Sequence, residues 1–344
     1  MQAFRVTRAL AQTTDLSGRV LCHELRSDDG RVAIAKGRVL DDADARRAME
    51  LPWAELHLLA LDSDDVHEDA AGNTIARRVA GGGVSVRPPS GGHWPIVAEC
   101  RGVLSIDIDR LVRINELDGP CVYSLYDGQV VEADEVVARA KIIPFAVSRH
   151  VLSDVESILQ PSGAVHVRPF GIYRVGAVVH ESMGERALGR FRDAVTEKIA
   201  WFGSALGALE VTPPDVASIA DAFDAAGRAT DIILVAGTKA MDVLDPTFAV
   251  LDQIGARMVC HGVPAHPGSL LWLAEWKGVP IVGMPTCGLF AQATVFDLVI
   301  ARLLSGERLG RKELARFGHG GLLTRDMAFR LPAYRAAGVR GAVE

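Results

Sequence analysis

Asp231-Ile-Ile-Leu-Val-Ala-Gly-Thr-Lys-Ala-Met-Asp-Val-Leu-Asp245, followed by Pro246, decides how the chain is read. Ile232, Ile233, Leu234 and Val235 form a short continuous apolar run, the pattern of a strand covered on both faces. Ala236-Gly237-Thr238 then follows without bulky side chains, so a ligand can approach the backbone. Pro246 suits the first position of a helix, where a missing N–H is no loss. Asp242 and Asp245 therefore fall on a loop between a strand end and a helix start. In an open α/β sheet that is where ligands bind.

Outward from this corner, strand and helix patterns alternate from Tyr173 nearly to Leu304. A helix over residues 185–206 places Leu188, Phe191, Val195, Ile199, Phe202 and Leu206 on one stripe, with Arg190, Arg192, Asp193, Glu197 and Lys198 largely off it. Residues 209–212 read as a strand, 215–226 as a helix and 248–254 as another. The order β-α-β-α-β implies parallel strands. Residues 257–260, 270–274 and 280–282 are strand-like, with a turn at Lys277-Gly278, so the sheet is expected to turn antiparallel at that edge. An amphipathic helix over 289–304 closes the domain.

The first 165 residues read differently, as a β-rich α+β region with Gly and Asp punctuation, and Gln160-Pro161-Ser162-Gly163 reads as a linker. The expected domains are therefore 1–165, made of one or two small modules, 166–306 as an α/β domain, and 307–344 as a mostly irregular arm. Asp41 or Asp42 caps a helix through Met49, and a second helix is expected from Val66 through Val79. Its first-turn residues His67, Glu68 and Asp69 suit the helix dipole, and their adjacent spacing puts them on different faces, which disfavours a shared metal. Residues 97–147 are expected to be mainly β, with Asp127-Gly128 as a hairpin turn.

With 344 residues and 49% hydrophobic content, the chain can bury more than one core. A net charge of -6 supplies no basic field for nucleic acid or an anionic membrane surface. The apolar stretch at residues 295–304 is broken by Asp297 and Arg302 and is far short of the ~20 residues that cross a bilayer. The N-terminus lacks the apolar core of a secretory signal, so a cytoplasmic location is expected. The cysteines, at 22, 100, 121, 260 and 287, show no zinc or disulfide spacing.

Three loops should sit at carboxyl ends of strands: residues 181–185, 236–245 and 284–288. Small residues at Gly184, Gly237, Thr286 and Gly288 leave N–H groups open, and the following helices direct positive ends to the same place, which favours an anion such as phosphate. Asp242 and Asp245 could hold magnesium against that phosphate, although Asp245 before Pro246 also reads as an ordinary N-cap. Lys239 is either a point charge on the anion or a solvated side chain. Cys287 precedes a helix whose dipole would favour its thiolate, but no base is placed beside it. His261 and His266 do not match a closed zinc site.

In order along the chain, Ala236-Gly237-Thr238 with its following acids, Gly262-Val-Pro-Ala-His-Pro-Gly-Ser269, and Ile281-Val-Gly-Met-Pro-Thr-Cys-Gly288 resemble the molybdopterin-binding domain of molybdenum cofactor biosynthesis proteins. The likeness covers roughly residues 174–304. Residues 20–147, including Val66-His-Glu-Asp-Ala-Ala71 and Lys141-Ile-Ile-Pro-Phe145, and His319-Gly-Gly-Leu-Leu323 resemble a less characterised branch of molybdopterin-binding proteins.

The resemblance implies a three-layer α/β/α domain that binds the pterin at the carboxyl ends of its strands. It also implies adenylylation of molybdopterin, or magnesium-dependent insertion of molybdate, as the reaction. By position, Asp242 and Asp245 match the acidic catalytic and metal-holding positions. Gly237, Thr238 and Lys239 match the ligand-cradling turn, and Pro267, Gly268 and Ser269 with Pro285, Thr286, Cys287 and Gly288 match the two remaining binding loops. Departures from the family pattern are Ala236 for the first glycine of a pair, Lys239 for a hydroxyl residue, Met241 for a further glycine, and Thr286-Cys287-Gly288 for a Gly-Asn-Pro-like end. Two readings follow, a molybdotransferase and a non-catalytic carrier of molybdopterin, and an unrelated nucleotide-binding α/β enzyme stands as a third. The expected partners are a small pterin ligand, an acceptor molybdenum enzyme and a second copy of the chain.

Overall fold

A computed structural model describes residues 1–180, 183–285 and 294–334. The chain divides into two units, the first built from Met1–Cys100, Ile106–Asp127 and Ala133–Val167, and the second from Arg101–Ser105, Gly128–Glu132 and everything from Arg168 on. The two short segments join the second unit because Val103 and Val130 are part of its apolar core.

The second unit contains the opening stretch. Its sheet is built from β1 (Arg174–Val179), β2 (Ala205–Val211), β3 (Ile232–Ala236), β4 (Arg257–His261), β5 (Trp272–Trp276) and β6 (Val279–Gly283). The strand order is β2-β1-β3-β6-β5-β4. Neighbours from β2 through β6 are parallel, and β5 pairs antiparallel with both β6 and β4, so the expected antiparallel edge is present. Lys277 and Gly278 both have positive φ, which closes the two-residue turn between β5 and β6.

Alternation along the strands sorts side chains to opposite faces. Val175, Ala177, Val179, Ile232, Leu234 and Val282 pack with α1 (Glu185–Trp201) through Phe191, Val195 and Ile199. Val178, Ile233, Val235 and Ile281 pack with α2 (Val216–Ala229) through Ile219 and Phe223, and with α3 (Pro246–Gln253) through Val250 and Leu251. The closing helix α4 (Val295–Leu304) is buried along its whole length and joins the first of these cores. Residues 289–293 of the helix expected there lie outside the described residues.

One charge departs from the expected helical stripe. Lys198 of α1 is buried, and its Nζ donates to Asp297 Oδ1 of α4 at 2.7 Å. The same oxygen accepts the Tyr334 hydroxyl at 2.7 Å, while Asp297 Oδ2 accepts the Thr294 N–H in a capping box. The described part of the arm, residues 307–334, carries a short helix, Arg311–Ala315, and a bridge between His266 and Leu322.

Before residue 168 the chain carries three differences from expectation. Val66 and His67 belong to a strand, Asp65–His67, paired with Ala146–Ser148, and the helix runs Glu68–Val79 with His67 as its N-cap. Asp127-Gly128 closes no hairpin: Pro120–Ser124 pairs with Val136–Ile142, and Val130 pairs with Val103. The Asp127 carboxylate instead accepts the Ile106 N–H at 2.9 Å. Helix Ile108–Asn115, capped by Asp107, interrupts the stretch read as mainly β, and helix Arg149–Leu159, capped by Ser148, follows it. No helix of the described residues is long and apolar enough to cross a membrane.

Candidate functional site

The carboxyl ends of β1, β3 and β6 lie side by side, because Val179 registers with Ala236 and Val235 with Gly283. Hydrogen bonds continue past the strand ends, from the His180 N–H to the Ala236 carbonyl at 3.1 Å and from the Met284 N–H to the Val235 carbonyl at 2.8 Å. Trp272, at the start of β5, registers with both Gly283 and His261, so the loop over residues 262–271 leaves from the same edge. A Cβ on Gly283 would land in the Trp272 indole. Gly283→Ala is therefore expected to cost about 1–3 kcal/mol by overpacking, measured by urea denaturation.

Gly237 has a φ of +108°, a conformation that glycine adopts readily and other residues rarely do. It turns the chain so that Thr238 faces back into the sheet. There a small buried polar cluster forms: Thr247 Oγ1 lies 2.9 Å from His180 Nε2 and 3.2 Å from Thr238 Oγ1, and Thr238 Oγ1 lies 3.3 Å from His180 Nε2. His180 and Thr247 are both buried. Neither is singled out by composition or motif. The signal for His180 is its place as the one polar residue closing the apolar run Val175-Gly-Ala-Val-Val179 at a strand end, where burial of an imidazole calls for partners.

Asp245 is 4% exposed. Its Oδ1 accepts the Thr247 N–H at 2.9 Å, as an N-cap, and its Oδ2 accepts the Lys239 N–H at 2.9 Å, which fastens the loop. Burial opposes the charge, but the hydrogen bonds from Thr247 and Lys239 and the nearby His180 outweigh it and hold the carboxyl below its usual range. Asp242 is exposed, and its Oδ1 accepts the Leu244 N–H at 3.0 Å. The Lys239 carbonyl accepts the Asp242 N–H at 2.7 Å. Among the described residues, no three His, Cys, Asp or Glu side chains gather as a metal cluster. At the rim of this loop Met241, Val243 and Leu244 are exposed.

The loop at 267–269 is held from two sides. The Pro267 carbonyl accepts the Val295 N–H at the start of α4, and the Ser269 carbonyl accepts the Val263 N–H, both at 3.0 Å. Gly268, with φ +108°, sits against Thr294 and Val295 with no room for a Cβ. His261 Nε2 lies 2.7 Å from the Ala240 carbonyl, which ties the end of β4 to the loop carrying Lys239 and Asp242. The Cys260 thiol donates to the Gly262 carbonyl at 2.8 Å. Pro285 is buried at the end of β6, while Thr286, Cys287 and Gly288 lie outside the described residues, as do Glu181 and Ser182.

The edge so formed offers a positive-φ glycine turn, fixed hydroxyls, an imidazole and the N-termini of α3 and α4, the ingredients of a site for a polar, anion-bearing small molecule. No protein-family model matches the chain, and no curated protein matches it. Among solved structures it is similar to a molybdopterin biosynthesis moea protein from Pyrococcus horikosii, at 14% identity over 74% of this chain and 81% of that one, with a TM-score of 0.31. It is also similar to a molybdenum cofactor biosynthesis protein from Pyrococcus furiosus, at 12% identity over 89% of this chain and 65% of that one, with a TM-score of 0.24. Likenesses this distant add no weight to the geometry.

Proposed function

We propose that the second unit, as a three-layer α/β/α domain, binds molybdopterin or its adenylate at this sheet edge and inserts molybdate. The observation that carries the proposal is the adjacency of the β1, β3 and β6 ends. Through it, the Gly237-Thr238 turn and Pro285 come to one edge, with the loop at 267–269 leaving from the same side. These are the loops whose sequences resemble the molybdopterin-binding family.

In this reading the turn receives the ligand's phosphate, Thr238 and His180 orient it, and Lys239 adds a point charge. Magnesium fits Asp242 better than Asp245. Asp242 is exposed with one oxygen engaged, whereas both Asp245 oxygens already accept backbone N–H groups. Magnesium is ordinarily held by one or two carboxylates together with phosphate, and when bound it would offset the charge of phosphate and molybdate.

The exposed apolar residues Met241, Val243 and Leu244 favour a second reading, a carrier that hands molybdopterin to an acceptor enzyme through this rim. Turnover separates the two. With adenylylated molybdopterin, a transferase releases AMP only when molybdate is added, and Asp242→Asn is expected to slow that release by at least about 100-fold, as loss of charge stabilisation at a reacting group does. Tight binding without AMP release would instead identify a carrier. Recovery of a nucleotide without pterin from the purified protein would overturn both.

A further inference from the structure

The arm beyond α4 carries His319-Gly320-Gly321-Leu322-Leu323, a stretch that the site described so far does not use. Its surroundings lie in the loop over residues 262–271, between β4 and β5. Pro264 and Pro267 have no N–H to donate, so this loop cannot fasten itself by a regular ladder. Among the described residues, three backbone hydrogen bonds tie it to other parts of the chain, apart from the strand pairing at its two ends. One runs from the Val295 N–H to the Pro267 carbonyl at the start of α4. The other two go to the arm. The Gly321 carbonyl accepts the His266 N–H at 2.7 Å, and the His266 carbonyl accepts the Leu323 N–H at 2.8 Å. Both backbone groups of the residue before Pro267 are thereby held from outside the loop.

Only a glycine lets the arm come this close. A Cβ on Gly321 would collide with the Phe317 and Pro264 carbonyls and stand 3.2 Å from the Ala265 Cα. Gly320, with φ +70°, turns the chain just before it, and its carbonyl accepts a hydrogen bond from Arg330 Nη1 at 2.7 Å. Phe317 and Leu323, on either side, are buried in the same core as Val263, Ala265 and Val295. Gly268 is pressed against Thr294 and Val295 from the other direction. Pro267-Gly268-Ser269 therefore emerges from a clamp with α4 on one side and the arm on the other.

We infer that the arm braces the candidate ligand site, with Gly321 as a positioning residue that holds Pro267-Gly268-Ser269 in one conformation at the sheet edge. This rests on the reading of residues 267–269 as a ligand-binding loop. A loop fixed before the ligand arrives spares the ordering cost of binding. Linkage then works in both directions: whatever affinity the docked arm adds, bound ligand returns as protection of the arm.

Hydrogen exchange on the full chain, without ligand, tests the brace. Gly321→Ala should speed exchange across residues 262–271 by at least about tenfold, because the arm's two hydrogen bonds open. Gly318→Ala, on the same arm, should leave it unchanged, since a Cβ there meets Pro264 at an ordinary 3.7 Å. Gly227→Ala, which drives a methyl into the Trp276 indole, serves as a variant destabilised elsewhere and should also leave the loop unchanged. Titration with adenylylated molybdopterin tests the positioning. Gly321→Ala should bind about tenfold more weakly or worse, as small misplacements of binding groups do, while Gly318→Ala and Gly227→Ala match the unsubstituted chain. In the unsubstituted chain, bound ligand should slow exchange across residues 318–323, a readout that stands even where Gly321→Ala does not fold. Unchanged loop exchange in Gly321→Ala, or an arm that ligand does not protect, would overturn the brace. Equal weakening in Gly227→Ala would reduce Gly321 to a structural residue. No binding by the unsubstituted chain, with loop exchange still faster in Gly321→Ala, would instead overturn the reading of the site, and the positioning role with it.

Discussion

Asp297→Ala is expected to destabilise the second unit by about 3–5 kcal/mol, the cost of removing one partner from a buried ion pair. The substitution leaves the Lys198 ammonium buried without its 2.7 Å partner, frees the Tyr334 hydroxyl and opens the Thr294 capping box. A urea titration followed by tryptophan fluorescence reads the loss, since Trp201 lies in the aromatic group around Tyr334. The double substitution Lys198→Met with Asp297→Leu should recover most of it, because an apolar pair of similar size replaces a buried ion pair at little cost. Equal loss in the single and double variants would show that the capping box, not the ion pair, carries the effect. The Tyr334 phenol is held well above its usual value of 10.0, first by burial and then by the charge and hydrogen bond of Asp297. Its protonated form is favoured in the fold, so that contribution is complete below pH 10.0 and lost as pH rises beyond it. Tyr334→Phe should flatten that alkaline decline.

The sheet is legible from sequence where local pattern and tertiary environment agree. The run Ile232-Ile-Leu-Val235 is apolar on both faces because helices pack against both, and Lys277-Gly278 marks the hairpin because Gly278 fills one of its two positive-φ positions at no steric cost. Lys198 is misread for the opposite reason. A helical stripe records which face of one helix is apolar, but not that an aspartate 99 residues away meets a lysine at the stripe's edge. Asp127-Gly128 likewise has the composition of a hairpin turn, but the strands beside it find other partners. At the candidate site, Gly237 and Asp245 are legible because a strand end, a glycine and an Asp-Pro helix start are local signals. His180 and Thr247 are not, since their roles arise only when the ends of β1 and β3 are brought together.

Asp245→Ala is expected to cost about 2–3 kcal/mol, roughly one to two for the lost helix cap and about one for the Lys239 N–H left without its acceptor. The acid limb of stability reports the same group. Because the folded-state pKa of Asp245 is depressed below 3.8, its contribution is complete above that pH and disappears as pH falls through the folded value. The unsubstituted chain should thus lose stability below about pH 3.8 more steeply than Asp245→Ala, and parallel curves would show that the cap is not held by the charged form. Magnesium then separates fastening from catalysis. If the ion is held chiefly by Asp242, added magnesium with ligand phosphate should raise the melting temperature of Asp245→Asn nearly as much as that of the unsubstituted chain, and should leave Asp242→Asn unmoved. The reverse pattern would make Asp245 the metal-holding residue, despite the two backbone N–H groups its oxygens already accept.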